Sequence, residues 1–284
     1  MSDLFFTRDE MLSQARHENF PVASRLLPKN IRTHLLAIYG FARLADDLGD
    51  EAKGDRLAHL EWLDTDLRRA GHGNAVHPVL QDLTAVIRAF DLSLDPLQRL
   101  IEANRIDQRV HAYESFDDLV SYCMYSAAPV GQLVLSVFNV STAERIALSD
   151  KVCIALQLVE FLQDVKEDAQ RGRIYLPSQD MATFGCTPHD LQESSASTAL
   201  RELVGMEVER ARELFAAGTD LAASLPLRPR IAVVGFVAGG IAALDSISRA
   251  GNDVLGTQCR PTKVRFARHA LPMVVASSLR RTGS

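Results

Sequence analysis

The chain has 284 residues, 47% hydrophobic and 24% charged, with a formal net charge of −5. That is enough chain to bury a sizeable core, in one large domain or two small ones. No basic block offsets the acidic balance, which argues against a nucleic-acid partner, because phosphate backbones need a clustered cationic face.

The N-terminus, MSDLFFTRDEMLSQ, sets acids among its apolar residues and carries no signal-peptide core. Beyond it, apolar residues recur at helical spacing and β-branched alternation is scarce. The spacing predicts helices over 8–16, 21–26, 30–48, 55–70, 77–91, 95–110, 116–138, 142–170, 190–219, 228–251 and 261–278. SLDP (93–96) and LPLRPR (225–230) read as helix breaks, and Asp117 and Asp118 as a helix start. Ser141 and Glu144 stand at capping-box spacing ahead of the 142–170 helix. PVG (129–131) reads either as a plain kink or as a break that makes room for a bulky ligand. The longest non-helical stretch is 171–188, with Pro177 and Gly185 inside it. One all-α domain over 1–284 is the simplest account.

The four cysteines, Cys123, Cys153, Cys186 and Cys259, form no C-x-x-C pair and read as core filling in a reducing cytoplasm. No histidine stands at metal spacing, and His17 and His34 read as surface or core residues. The apolar run 231–244 is too short to span a bilayer. The C-terminal run 260–281 is basic and apolar. That composition suits peripheral contact with a membrane, and equally a solvated last helix.

Two acid rows carry the chemistry. Asp50, Asp46, Arg43 and Tyr39 are spaced four, three and four residues apart and share one helix face, with Asp47 beside them. Gln157, Glu160, Asp164 and Asp168 are spaced three, four and four, and share another. Carboxylates ~5–6 Å apart on a helix repel by tenths of a kcal/mol in water and several times more in a low-dielectric cleft. A fold that keeps two such rows needs solvent, basic partners or a hard cation to offset them. Two facing rows suit Mg²⁺ bridged to a diphosphate, since Mg²⁺ takes a few carboxylates plus phosphate oxygens. Arg43, Arg171 and Arg173 are then placed to grip the remaining phosphate oxygens. Either row alone could be a solvated helix end; two rows with matching polar partners could not so easily be.

ENFPVASRLLP (18–28), AIYGFARLADDLGDE (37–51), YSAAPVGQLVL (125–135) and LQLVEFLQDVKEDAQRGRIYLP (156–177) together resemble the squalene/phytoene synthase family, in the right order and over about 10–255. The resemblance implies the isoprenoid synthase fold, with two aspartate-rich motifs at the mouth of a central cavity that bind Mg²⁺ and a prenyl diphosphate. It implies metal binding by Asp46, Asp47, Asp50, Asp164 and Asp168, with Glu160 where many relatives carry asparagine. Tyr39, Arg43, Gln157, Arg173 and Tyr175 fall where relatives line the substrate or diphosphate, and so do Asn19 and Phe20, although Asn19 replaces a frequent serine. Gln163 stands where many relatives have arginine. These departures, with SAAPVG, resemble the branch that acts on presqualene diphosphate and releases hydroxysqualene and diphosphate. The resemblance also implies functional coupling to other squalene-pathway enzymes.

In that chemistry, ionisation leaves a cation that aromatic faces such as Phe20, Tyr39 and Phe161 attract. Glu160 reads as a metal ligand, as the residue that orients or deprotonates the quenching water, or as a salt-bridge partner. The absence of a G-x-G-x-x-G or Walker loop argues against a tightly bound nucleotide, and so against reduction to squalene. Two rival readings stand beside this one. The first is head-to-head joining of two prenyl diphosphates on the same fold. The second is a non-catalytic helical assembly factor, which intact acid rows argue against.

Overall fold

The computed structural model describes residues 29–256 and 268–270. Among them the structure is all-α, and β geometry is confined to an isolated bridge between Ala112 and Ile174. The chain divides into two compact units. One runs to Arg109 and takes in Pro129–Ile146; the other comprises Val110–Ala128 and the chain from Ala147 onward. The helices predicted over 8–16 and 21–26, and most of that over 261–278, lie outside the described residues.

In the first unit, helix α1 (Lys29–Asp50) packs against α2 (Arg56–Gly71), α3 (Pro78–Phe90) and α4 (Asp95–Asp107). Steps of three and four along α1 put Leu35, Ile38, Phe41, Leu44 and Leu48 into the core, and Phe41 is fully buried. Each such side chain stabilises the unit by roughly 1.5–3 kcal/mol. Local chemistry sets the ends. Asp55 caps α2 by accepting from the Ala58 N–H. Pro78 opens α3, where its missing N–H costs nothing. Between those helices the buried Asp66 accepts the backbone N–H groups of Val76 (2.9 Å) and His77 (2.9 Å), which fixes the turn. His34 packs edge-on against Phe90, as a core-flanking histidine.

Helix α5 (Phe116–Ser126) begins with a capping box between Ser115 and Asp118, the helix start expected of that acid pair. The single helix predicted over 116–138 is two. Ala127 is a turn residue between them and α6 (Ala128–Val137) starts just after it, the break that PVG offered, because Pro129 can occupy a first turn but not a helix interior. The cap ahead of α7 (Ala143–Gln163) is Thr142, whose hydroxyl accepts from the Arg145 N–H, not Ser141, which pairs with Ser136. The predicted 142–170 helix also breaks, at Asp164, before α8 (Val165–Gln170). The stretch 171–188 is not wholly irregular: α9 spans Ser178–Phe184 and ends on Gly185 at φ 70°.

The second unit is completed by a short 3₁₀ turn at Asp190–Gln192 and by two long helices, α10 (Thr198–Ser224) and α11 (Leu227–Arg249). These two pack together by mutual insertion. A methyl on Gly218 would meet Val237 at 2.6 Å, and one on Gly240 would meet Phe215 at 2.3 Å. Each helix thus supplies a glycine notch for a large side chain of the other. By length and composition α11 could cross a membrane, at a mean hydropathy of 1.9, yet 56% of that window is buried in the protein, as a core helix would be. Cys123, Cys153 and Cys186 are buried and in no disulfide, and burial pushes Cys123 up to about 12. Cys259 lies outside the described residues.

Candidate active site

The first acid row closes α1, in the first unit. A helix C-terminus already carries partial negative charge, so acids there meet the dipole as well as each other. The last turn of α1 contains no basic residue. Its offset comes from neighbours. Arg56, at the start of α2, donates to the Asp50 carbonyl at 2.6 Å. Arg43, one turn back, forms an ion pair with Asp47 at 2.8 Å. Burial nonetheless raises the Asp47 carboxyl, against the pull of Arg43.

Asp46 is exposed at the surface, while the body of the protein behind it dehydrates its carboxylate. That desolvation raises its pKa to about 7, with Asp50 and Asp47 adding to the rise and Asn104 and Arg43 opposing it. The Asn104 amide Nδ2 donates to Asp46 Oδ1 at 3.1 Å and to the Leu100 carbonyl at 3.2 Å. One turn on, Gln108 Nε2 donates to the Gly49 carbonyl at 2.9 Å. Tyr39 is half-buried on the same helix.

The second row lies in the second unit. Gln157 and Glu160 are half-buried on α7, Asp164 is exposed at the break and Asp168 is half-buried on α8. Asp164 adopts φ −108°, ψ 11°, outside helical values. Aspartate is a poor helix former, which makes this residue the natural place to yield. Hydrogen bonds from Asp164 N–H to the Glu160 carbonyl (3.0 Å) and from Asp168 N–H to the Asp164 carbonyl (2.8 Å) carry the register across it. The break therefore leaves the row intact. Burial raises Asp168 to about 7, Asp164 adds to this, and Arg173 and Arg171 oppose it.

The arginines follow on a tight return. Gly172, at φ 80°, lets the chain double back so that the Arg173 N–H reaches the Asp168 carbonyl at 2.8 Å. Arg171 pairs with Glu167 at 2.8 Å on the surface. Tyr175, expected to line substrate, stacks on Phe161 at 3.9 Å between centroids, and Tyr113 and Tyr122 extend the pile. Phe161, expected to face a cation, thus has one ring face covered. Asn19 and Phe20 lie outside the described residues.

Several residues escaped the sequence reading. Asn104 lies on a face of α4 otherwise built from Leu97, Leu100 and Ile101, and Gln108 follows one turn on as the C-cap; amides continuing an apolar stripe were the available signal. The Tyr113–Tyr122 pair depends on contacts with Phe161 and Tyr175, distant in sequence, and Arg56 on a bond across the α1–α2 turn; neither left a signal.

The donor chemistry fits a hard divalent cation. Carboxylates held above their ordinary range by burial and by one another gain most from a cation that oxygen atoms can ligate. Among the described residues no three Asp, Glu, His or Cys side chains converge as a ready-made metal cage. That suits Mg²⁺, which keeps waters and binds through one or two carboxylates plus substrate phosphate, better than a metal resident in an all-protein cage.

Helices alone, carrying two rows of aspartates with arginines beside each, define a protein of the isoprenoid synthase fold. A crystal structure of squalene synthase HpnC from Alicyclobacillus acidocaldarius shares that fold with a TM-score of 0.80 at 39% identity, covering 90% of this chain and 95% of that one. Hydroxysqualene synthase of Zymomonas mobilis is 36% identical over 212 residues, 73% of this chain and 71% of its own. Presqualene diphosphate synthase of Rhodopseudomonas palustris is 33% identical over 221 residues, 75% of this chain and 78% of its own. Residues 14–268 match the squalene/phytoene synthase family model. The chain belongs to the squalene/phytoene synthase family.

Proposed function

We propose that this protein is a cytoplasmic hydroxysqualene synthase, converting presqualene diphosphate and water to hydroxysqualene and diphosphate with Mg²⁺. The observation that carries the reading is the two carboxylate rows, Asp46, Asp47 and Asp50 at the end of α1 and Asp164 and Asp168 across the α7–α8 break, each with an arginine held beside it: Arg43 paired with Asp47 at 2.8 Å, and Arg173 brought back by its N–H to the Asp168 carbonyl at 2.8 Å. Groups so placed are costly to the apo protein and belong at functional sites. The likeness to hydroxysqualene synthase of Zymomonas mobilis supports the choice of substrate.

Asp46 and Asp50 would supply oxygen donors to the metal from the first row, and Asp164 and Asp168 from the second, with Glu160 one turn before the second pair. Bound Mg²⁺ supplies positive charge that stabilises the departing diphosphate. Arg43 and Arg173 hold phosphate oxygens by charge-assisted hydrogen bonds. Tyr39 would offer its ring to the cation, and Glu160, one helical turn before Asp164, would ligate metal or orient water. Glu160→Gln separates these roles: loss of metal affinity marks a ligand, whereas normal affinity with altered products marks a water-orienting group.

The deciding experiment is incubation of purified protein and Mg²⁺ with presqualene diphosphate or with farnesyl diphosphate, followed by product identification. Hydroxysqualene from presqualene diphosphate alone is expected. Consumption of farnesyl diphosphate would replace this reading with head-to-head condensation, which the likeness to presqualene diphosphate synthase supports.

A further inference from the structure

Asn104 belongs to α4, yet its amide reaches the carboxylate of α1 that stands nearest to it in the acid row. It is buried, at 6% exposure, and both of its donors are used, on Asp46 Oδ1 (3.1 Å) and on the Leu100 carbonyl (3.2 Å). Turning the amide over would aim its oxygen at two acceptors, so the orientation is fixed. Asn104 fits because residue 49 is glycine. A methyl there would meet Asn104 Oδ1 at 2.2 Å, closer than any real contact allows. Glycine inside a helix costs about 1 kcal/mol relative to alanine. In this last turn of α1 it opens the notch that admits the amide, and Gln108 secures the same place by bonding the Gly49 carbonyl.

We propose that Asn104 is a positioning residue: by holding Asp46 Oδ1 through the notch at Gly49, it sets the rotamer of Asp46 and leaves Oδ2 to ligate the divalent cation. The proposal rests on the reading that Asp46 binds metal. Among the described residues Asn104 is the one hydrogen-bond donor to the Asp46 carboxylate. Partners that orient a ligating carboxylate commonly contribute a factor of 10–100 to metal affinity.

The test uses Mn²⁺ binding to the full chain in the presence of inorganic pyrophosphate, followed by electron paramagnetic resonance, with thermal melting in parallel. Asn104→Leu keeps the shape and removes the donors, and is expected to weaken Mn²⁺ about tenfold. Gly49→Ala touches no ligand yet displaces the amide, and is expected to weaken Mn²⁺ similarly. Asn104→Ala combined with Gly49→Ala should bind no worse than Asn104→Ala alone, since the methyl then has nothing to displace. Wild-type affinity in Asn104→Leu, or losses from Gly49→Ala and Asn104→Ala that multiply, would overturn the proposal. Should Asn104→Leu fail to fold, Gly49→Ala decides alone, because the alanine favours the helix in which it sits. Asp46→Asn distinguishes the layers. If it binds Mn²⁺ normally, the metal reading itself fails; if it loses binding while Asn104→Leu does not, only the positioning role does.

Discussion

Tyr175 lies flat on Phe161, with ring centroids 3.9 Å apart and planes 8° from parallel. Phe161 sits between Glu160 and Asp164 in the chain, and Tyr175 follows Arg173 by two residues. The stack therefore ties the arginine-bearing return to the helix that bears the second acid row. Two backbone bonds support the same return: the Ile174 N–H donates to the His111 carbonyl at 2.8 Å, and the Ser178 N–H to the Tyr113 carbonyl at 2.9 Å.

Tyr175→Ala is expected to destabilise the protein by about 2–3 kcal/mol, less than a fully buried ring because Tyr175 is half-buried. Turnover should fall with it, since Arg173 loses its anchor. Tyr175→Phe keeps the stacked face and should retain most of both. Urea denaturation and turnover at saturating substrate check the pair. An alanine variant as stable as wild type would show that the stack carries no weight.

Metal removal should separate activity from folding. With no three-ligand cage among the described residues, chelation with EDTA is expected to abolish turnover and leave the melting temperature of the ligand-free protein unchanged. Adding Mg²⁺ together with pyrophosphate should raise that temperature, and Mg²⁺ alone much less. A melting temperature that drops on chelation would point to a structural metal.

Stability should also depend on pH through Glu207. This residue of α10 is 2% exposed, and Arg210 donates to its Oε1 at 2.8 Å and also to Asp180 of α9. Burial raises Glu207 from 4.5 to about 7, with Asp180 adding to the rise and Arg210 opposing it. The folded state then holds a proton that the unfolded state releases between those two values. Stability is greatest below the unfolded value and declines as pH rises through the folded one, by roughly 3 kcal/mol in all for a group with that shift. Glu207→Gln carries the proton's equivalent permanently and should flatten the profile, making the variant more stable than wild type at pH 8 and similar to it at pH 4.5. Denaturant midpoints across that range test this; parallel profiles for the two proteins would refute it.

Helical periodicity located most of the described helices to within a few residues, because each buries an apolar stripe. It failed where one residue's backbone outweighed the stripe. Pro129 split the 116–138 helix and Asp164 split the 142–170 helix, although apolar residues continue through both. Helix α9 was missed because seven residues hold too few turns to show a period. The acid rows were legible because their spacing is local to one helix. Asn104 and the Tyr113–Tyr122 pair were not, because they act on residues far along the chain, and Arg56 was not, because its bond to the Asp50 carbonyl crosses a turn that no spacing rule describes.

The glycines of α11 make the same contrast testable within one helix. Gly240 has Phe215 of α10 where a methyl would go, at 2.3 Å, whereas Gly239 has nothing within 4 Å. Gly240→Ala must displace a ring that is itself 2% exposed, and overpacking of this kind costs about 1–3 kcal/mol. Gly239→Ala meets open space and gains helix propensity, about 0.5–1 kcal/mol. The two neighbours should therefore shift the urea midpoint in opposite directions. Coupling Gly240→Ala with Phe215→Leu should recover part of the loss, since the smaller side chain leaves room for the methyl. Equal effects at 239 and 240 would mean that α10 and α11 do not meet through the notch.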